Sequence, residues 1–270
     1  MKVIYLSSGN DLGMRCFQLL LENREIEVVA CDFRPKGMYE AQIDELCKKN
    51  CICQIEGEEI AEVAKDEKVD LGISVFYSVR LLEQQYTAPK WGIINFHSAP
   101  LPGYRGINGM CAGILDKIDY WEATAHFIDS ERYNVGRLID KRRIPVNPEM
   151  DTVHDIAERM FPKQIELFQA VMERFLQNGD TIMGQQLNEE SGRYFGRKDW
   201  LEARIITGPE DASLEEKVRA FWWPKSGGCA LMQINGKRYG LINETMMEEI
   251  KLLYQKGREC DESSQRKSEL

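Results

Sequence analysis

The chain opens on an unbroken apolar run, Val3 to Leu6, followed by the turn S-S-G-N-D-L-G and by Met14 to Leu21, apolar at helical spacing. A short run without polar alternation predicts a strand buried on both faces, and the periodicity behind it predicts a helix. The order then repeats. Strands are predicted at Ile26 to Cys31, Asp70 to Tyr77 and Gly92 to Phe96, with helical segments at Tyr39 to Lys48, Ile60 to Ala64 and Val79 to Tyr86 between them. Strands alternating with helices imply a parallel sheet, so the fold class is α/β, a doubly wound parallel sheet.

Beyond this region the pattern predicts a helix at Asn108 to Leu115, strands at Thr124 to Asp129 and Arg137 to Pro145, and a long amphipathic helix at Asp151 to Leu176. Thr181 to Gln186 reads as a strand and Arg193 to Pro209 as irregular. Ser213 to Phe221 is a predicted helix, and Gly228 to Asn243 a β-hairpin turning at Asn235-Gly236, the strongest short hairpin signal in the chain. The expected organisation is a main domain over 1–204, a small hairpin-containing appendage over 205–258 and a mobile polar tail over 259–270.

Composition narrows the function. With 43% apolar and 29% charged residues in 270, the chain has the balance of a globular protein with a sizeable core. A net charge of -9 opposes a protein whose main task is gripping a phosphate backbone, so no nucleic acid is expected as partner and a small-molecule substrate is favoured. No apolar run reaches the roughly 20 residues a membrane span requires, and the apolar start of M-K-V-I-Y-L is too short for a secretory signal, so a cytoplasmic protein with no membrane partner is expected. Of eight cysteines, Cys47, Cys51 and Cys53 cluster in C-K-K-N-C-I-C, a spacing outside the common structural zinc patterns. No metal is expected.

The first turn carries only Gly9 and Gly13, which fits neither the dinucleotide fingerprint nor a phosphate loop ending in Lys-Ser/Thr. It is a tight turn, with Asn10 a candidate contact for a substrate phosphate at the following helix start. His126 sits inside an alternating strand and reads as a satisfied core or edge histidine; His154 reads as a surface residue in the first turn of the long helix. His97 differs, because it leaves a buried strand where doubly wound sheets bind ligands, beyond the carboxyl ends of the strands. Asn95 and His97 are two residues apart and so project from one face of the strand toward one space. An amide that donates to a developing oxyanion and an imidazole that accepts a proton suit attack on a carbonyl, although a strand-edge histidine can also simply cap a loop.

The stretch N-F-H-S-A-P-L-P-G-Y-R-G resembles the N-x-H-x-S-L-L-P-x-Y-x-G signature of the formyltransferases that use N10-formyltetrahydrofolate. The resemblance runs from Met1 to about Gly196 and includes D-L-G-I-S-V-F-Y-S-V-R-L-L and A-T-A-H-F-I-D. It implies a formyltransferase/Rossmann-like fold and transfer of a formyl group to an amine, with Asn95 at the oxyanion and His97 managing proton transfer. By position, Val79, Leu81 and Leu82, with Ile128 and Asp129 opposite, would hold the folate. Tyr104, Arg105, Gly106 and Asn108 would lie beside the amine-bearing substrate. The family's catalytic aspartate is replaced here, in Y-N-V-G-R-L-I, by Asn134. The C-terminal stretch V-R-A-F-W-W-P-K-S-G-G resembles the appendage of the sugar-nucleotide enzymes, which implies an amino-sugar nucleotide as substrate and a homodimer. Tyr194 and Trp222 are candidates to stack on its base or sugar, the alternative being that F-W-W is a hydrophobic anchor of the appendage. A protein that binds these ligands without turnover, and a methionyl-tRNA formyltransferase, are the other readings.

Overall fold

The computed structural model describes residues 1–253 apart from 189, 190, 225 and 226. The tail over 259–270 lies outside the described residues. These fall into two compact units that interleave along the chain, whereas the sequence suggests a single division after 204. One unit comprises Met1–Gly109, Tyr120–Pro145 and Glu158–Phe195; the other comprises Met110–Asp119, Val146–Ala157 and the chain from Gly196 onward as far as it is described.

The elements of the first half are β1 (Lys2–Ser7), α1 (Asp11–Glu22), β2 (Glu27–Phe33), α2 (Glu40–Asn50), β3 (Cys53–Gln54), α3 (Ile60–Asp66), β4 (Leu71–Val75), α4 (Glu83–Tyr86) and β5 (Ile93–His97). They continue with β6 (Tyr104–Gly106), α5 (Gly109–Leu115), β7 (Tyr120–Phe127), β8 (Leu138–Pro145), α6 (Val153–Asn178) and β9 (Arg193–Phe195). A seven-stranded sheet runs β3-β2-β1-β4-β5-β7-β8. Its first five strands are parallel, as the alternating pattern predicts; β7 and β8 join antiparallel. Val3, Ile4, Tyr5 and Leu6 are fully buried, because β1 lies inside the sheet with helices over both faces, which is why it reads as an unbroken apolar run.

Helix α1 begins at Asn10, whose Oδ1 accepts the Gly13 N–H at 2.8 Å, a cap worth about 1 kcal/mol. The turn before it needs its glycines for close approach. A Cβ on Gly9 would lie 1.7 Å from the Lys36 carbonyl oxygen, and one on Gly13 would lie 2.3 Å from Ser7 Oγ. Helix α4 is shorter than predicted, leaving 79–82 as loop at the end of β4.

The outer strand β8 carries a charged run, Asp140 to Arg143. Lys141 Nζ and Arg143 both close on Glu122 of β7, which is 2% exposed, at 3.0 and 2.6 Å.

In the second unit β10 (Ile205–Ile206), β11 (Ala230–Ile234) and β12 (Lys237–Leu241) form a three-stranded sheet, with α7 (Arg197–Ala203) and α8 (Leu214–Ala220) in the same unit. Asn235 and Gly236 take φ of 48° and 78°, so the predicted hairpin turn is present with positive φ at both central residues. The stretch expected to be irregular, Arg193 to Pro209, instead contains β9, α7 and β10. Each is only two to seven residues long, too short to impose a hydrophobic period that can be read from sequence. The predicted strand at Thr181 to Gln186 reduces to a single bridge between Leu138 and Gln185.

Candidate active site

The antiparallel entry of β7 sets the site. Parallel pairing places Ser74 of β4 beside Asn95 of β5, and antiparallel pairing places His126 of β7 on its other side. Three polar side chains on adjacent strands thus form one row across the sheet. Ser74 Oγ donates to Asn95 Oδ1 at 2.8 Å, and Asn95 Nδ2 lies 3.1 Å from His126 Nε2. His126 Nδ1 lies 2.8 Å from the Phe127 carbonyl oxygen, which can only accept, so that ring nitrogen carries the proton. Burial pushes the His126 imidazole down to about 4, so near neutral pH Nε2 is a bare acceptor for the Asn95 amide.

This row opens on a cleft at the carboxyl ends of the parallel strands. Val79, Leu81, Ile128 and Val135 supply apolar walls, and Arg80, Ser130, Glu131 and Asn134 supply polar groups. Its two loops are tied together. Arg80 Nε donates to the Glu131 carbonyl oxygen at 3.0 Å and its guanidinium pairs with the Glu131 carboxylate at 2.6 Å.

His97 shares the strand face of Asn95, but its imidazole is drawn to the end of the strand, where Nε2 donates to the Tyr104 carbonyl oxygen at 2.9 Å. It does not line the cleft; it borders a smaller space of about 220 Å³ with Leu12, Cys16 and Phe168. The expectation that Asn95 and His97 face one space therefore meets a difference, caused by that hydrogen bond. Burial pushes His97 down to about 4, outweighing the Tyr104 bond, and His126 nearby acts in the same direction. Nδ1 is left as its basic nitrogen.

Two residues along β6, the Gly106 N–H donates to Asn134 Oδ1 at 2.8 Å. The segment Tyr104–Gly106 is thus held by His97 at one end and by Asn134 at the other, and it pairs with Arg193–Phe195 of β9.

Among the other expected folate contacts, Leu82 is 44% exposed and, like Asp129, does not line the cleft. Asp129 is engaged by Arg137 through backbone and guanidinium at 2.9 Å; burial acts to raise its carboxyl, but these bonds hold it below the usual range. Asn10 spends both ends of its amide on the turn, accepting from Gly13 and donating to Ser8 Oγ at 2.7 Å. Tyr104 packs on Trp121 with ring centroids 5.2 Å apart. Arg105 donates to the Gly192 carbonyl oxygen while its Nε is buried without a hydrogen-bond partner. Asn108 has φ 51° just before α5, and Tyr194 is 49% exposed.

Trp222 is 2% exposed and donates its indole N–H to Glu249, so its ring packs inside the second unit and offers no face for stacking. The same carboxylate lies 3.5 Å from His154, which is therefore a partly buried, paired residue and not a free surface one. Sequence reasoning passed over Ser74 and set His126 aside. Each looks like a core residue within its own strand, and only the register of β4, β5 and β7 brings them to Asn95. Among the described residues no group of three or more His, Cys, Asp or Glu is arranged to hold a metal, and no helix is long and apolar enough to cross a membrane.

Residues 44–172, which contain Asn95, His97, His126 and Asn134, match the formyl transferase family model. Among curated proteins, a methionyl-tRNA formyltransferase of Ehrlichia canis is 24% identical, covering 90% of this chain and 80% of its own. A GDP-perosamine N-formyltransferase of Brucella melitensis is 26% identical, covering 67% of this chain and 68% of its own. Among solved structures, the N-formyltransferase of Helicobacter canadensis, in complex with folinic acid and dTDP-3-aminofucose, superposes with a TM-score of 0.68 at 21% identity over 87% of this chain and 85% of that one.

Proposed function

We propose that the protein transfers the formyl group of N10-formyltetrahydrofolate to the amino group of a nucleotide-linked amino sugar, without a metal. The observation that carries this is the Asn95 carboxamide, fixed between Ser74 and His126 at an apolar-walled cleft, with a neutral histidine two residues away. The second N–H of Asn95 donates to the formyl oxygen as the substrate amine adds to the carbon and negative charge develops. His97, neutral near pH 7 with Nδ1 as its basic nitrogen, borders the space beside the cleft and in this reading takes a proton from the attacking nitrogen through one water; that proton is returned to N10 as collapse breaks the bond to it, releasing tetrahydrofolate. Val79, Leu81, Ile128 and Val135 suit a flat heteroaromatic ring. The ligands named for the Helicobacter structure support both substrate classes. Tyr104, Arg105, Gly106, Asn108 and Tyr194 form the amine-substrate side in this reading, in a homodimer working in the cytoplasm.

The test is a panel of amino-sugar nucleotides and methionyl-tRNA offered with N10-formyltetrahydrofolate, following tetrahydrofolate release, with the protein's mass checked by light scattering. Turnover with at least one amino-sugar nucleotide, loss of about 10²–10⁴-fold in His97→Asn, and twice the chain mass are expected. Turnover with methionyl-tRNA alone would transfer the assignment to the tRNA enzymes, against which the net charge of -9 argues. Binding of the donor with no turnover of any acceptor would identify a ligand-binding relative that has lost its chemistry.

A further inference from the structure

Asn95 is useful as an oxyanion donor only if its nitrogen, and not its oxygen, faces the reacting carbonyl. A carboxamide can rotate by half a turn at little cost, which would present a lone pair to the oxyanion and repel it. Something must choose between the two orientations, and the choice has to be made on both ends of the amide.

Both ends are met here. The oxygen accepts from Ser74 Oγ, a side chain 3% exposed, at 2.8 Å. The nitrogen meets His126 Nε2 at 3.1 Å. His126 does not choose its own proton position freely either, because the Phe127 carbonyl oxygen at 2.8 Å demands a donor and so assigns the proton to Nδ1. A main-chain carbonyl fixes the tautomer, the tautomer makes Nε2 an acceptor, and the acceptor fixes the amide. Of the two N–H groups on Asn95, one is consumed by His126 and one remains for the cleft that both residues line. Had His126 carried its proton on Nε2, two donors would face each other and the amide would turn over.

We infer that His126 is a positioning residue for formyl transfer: through its Nδ1–H tautomer it orients the Asn95 carboxamide so that an N–H is presented to the carbonyl oxygen. This rests on the function proposed above. It assigns to His126 a task distinct from proton transfer, since its basic nitrogen is already occupied by Asn95 and its other nitrogen by the backbone. It also distinguishes the two histidines. His97 has its proton on Nε2, against Tyr104, and His126 has it on Nδ1.

The experiment pairs two substitutions with two readouts that do not require turnover. In the unaltered protein with nitrogen-15-labelled histidine, NMR should show His126 protonated at Nδ1 and bare at Nε2; the opposite tautomer would overturn the inference. The Asn95 side-chain amide should be protected from solvent exchange, protection that His126→Leu removes and His126→Gln retains, because the glutamine oxygen replaces Nε2 as acceptor. In formyl transfer, His126→Leu should lower kcat by about 30–100-fold with the donor's Kd changed less than about threefold, whereas His126→Gln should stay within about fivefold of the parent. A glutamine variant as slow as the leucine one, or a folded leucine variant with unchanged kcat, would sink the proposal. If the leucine variant does not fold, Ser74→Ala, which releases only the oxygen end, should cost about 3–10-fold in kcat with the donor's Kd unchanged; no loss counts against the inference. If the unaltered protein moves no formyl group at all, the functional reading falls, while the tautomer and the amide protection still decide whether His126 fixes Asn95.

Discussion

Asn134 holds φ at +55°, a left-handed conformation that asparagine and aspartate tolerate better than other side chains, and its Oδ1 receives the Gly106 N–H. An aspartate would fit the same backbone and strengthen the same bond, since a carboxylate accepts more strongly than an amide. It would also place a negative charge against the segment Tyr104–Gly106 that His97 holds, and so favour the protonated form of His97. Asn134→Asp should therefore fold normally and raise kcat for formyl transfer about tenfold, because charge developing on the imidazole would then be stabilised. Side-by-side turnover of the two proteins checks this; an equal or lower rate would show that the amide is the tuned group here. Asn95 and Asn134, which line the cleft, are marked in the sequence by a strand-edge pair and a long motif; His97 is marked by the same motif but does not line the cleft. Ser74 and His126 are not so marked, because their roles depend on which strands become neighbours. Asn10 and Trp222 are polar or aromatic residues whose bonding capacity is spent on the fold, on a helix cap and on Glu249, and nothing in their spacing announces that.

At the scale of elements, β5 and β7 carry two histidines, His97 half-buried and His126 buried. Unfolded, each would titrate near the ordinary value of about 6.5; folded, burial lowers both to about 4. Between these values the unfolded chain binds more protons than the native one, so stability is fully present above about pH 6.5 and is lost as pH falls toward 4. The midpoint of thermal unfolding should drop across that window, and His126→Gln should flatten the slope. A midpoint independent of pH from 7 to 4 would contradict the burial of both rings. The parallel strands were readable because burial on both faces leaves unbroken apolar runs, and the hairpin because Asn-Gly selects its turn. The reversal of β7 and β8 was not. A single strand carries no mark of its neighbour's direction, and it is that reversal which brings His126 to Asn95.

Across the whole molecule the seven-stranded sheet has two outer strands, and they end differently. β3 is two residues long and offers little backbone to pair with. β8 is eight residues long, and Lys141 and Arg143 stand on it against the buried Glu122. The two cations answer a local need, since Glu122 without them would be an uncompensated buried charge. They also act as gatekeepers against self-association, because lysine and arginine on an edge strand hinder the addition of another chain's strand. Two tasks borne by the same pair can be separated by substitution. Lys141→Thr with Arg143→Thr should lower stability by about 3–5 kcal/mol and promote aggregation, as read by denaturant unfolding and by turbidity at high concentration. Adding Glu122→Gln should recover much of the stability and leave the aggregation. If the triple variant is as soluble as the parent, the edge owes its good behaviour to something other than these cations. The consequence reaches any attempt to recode this surface: a change there judged by melting temperature alone would pass a protein that stays folded in dilute solution and forms fibrils in concentrated stock.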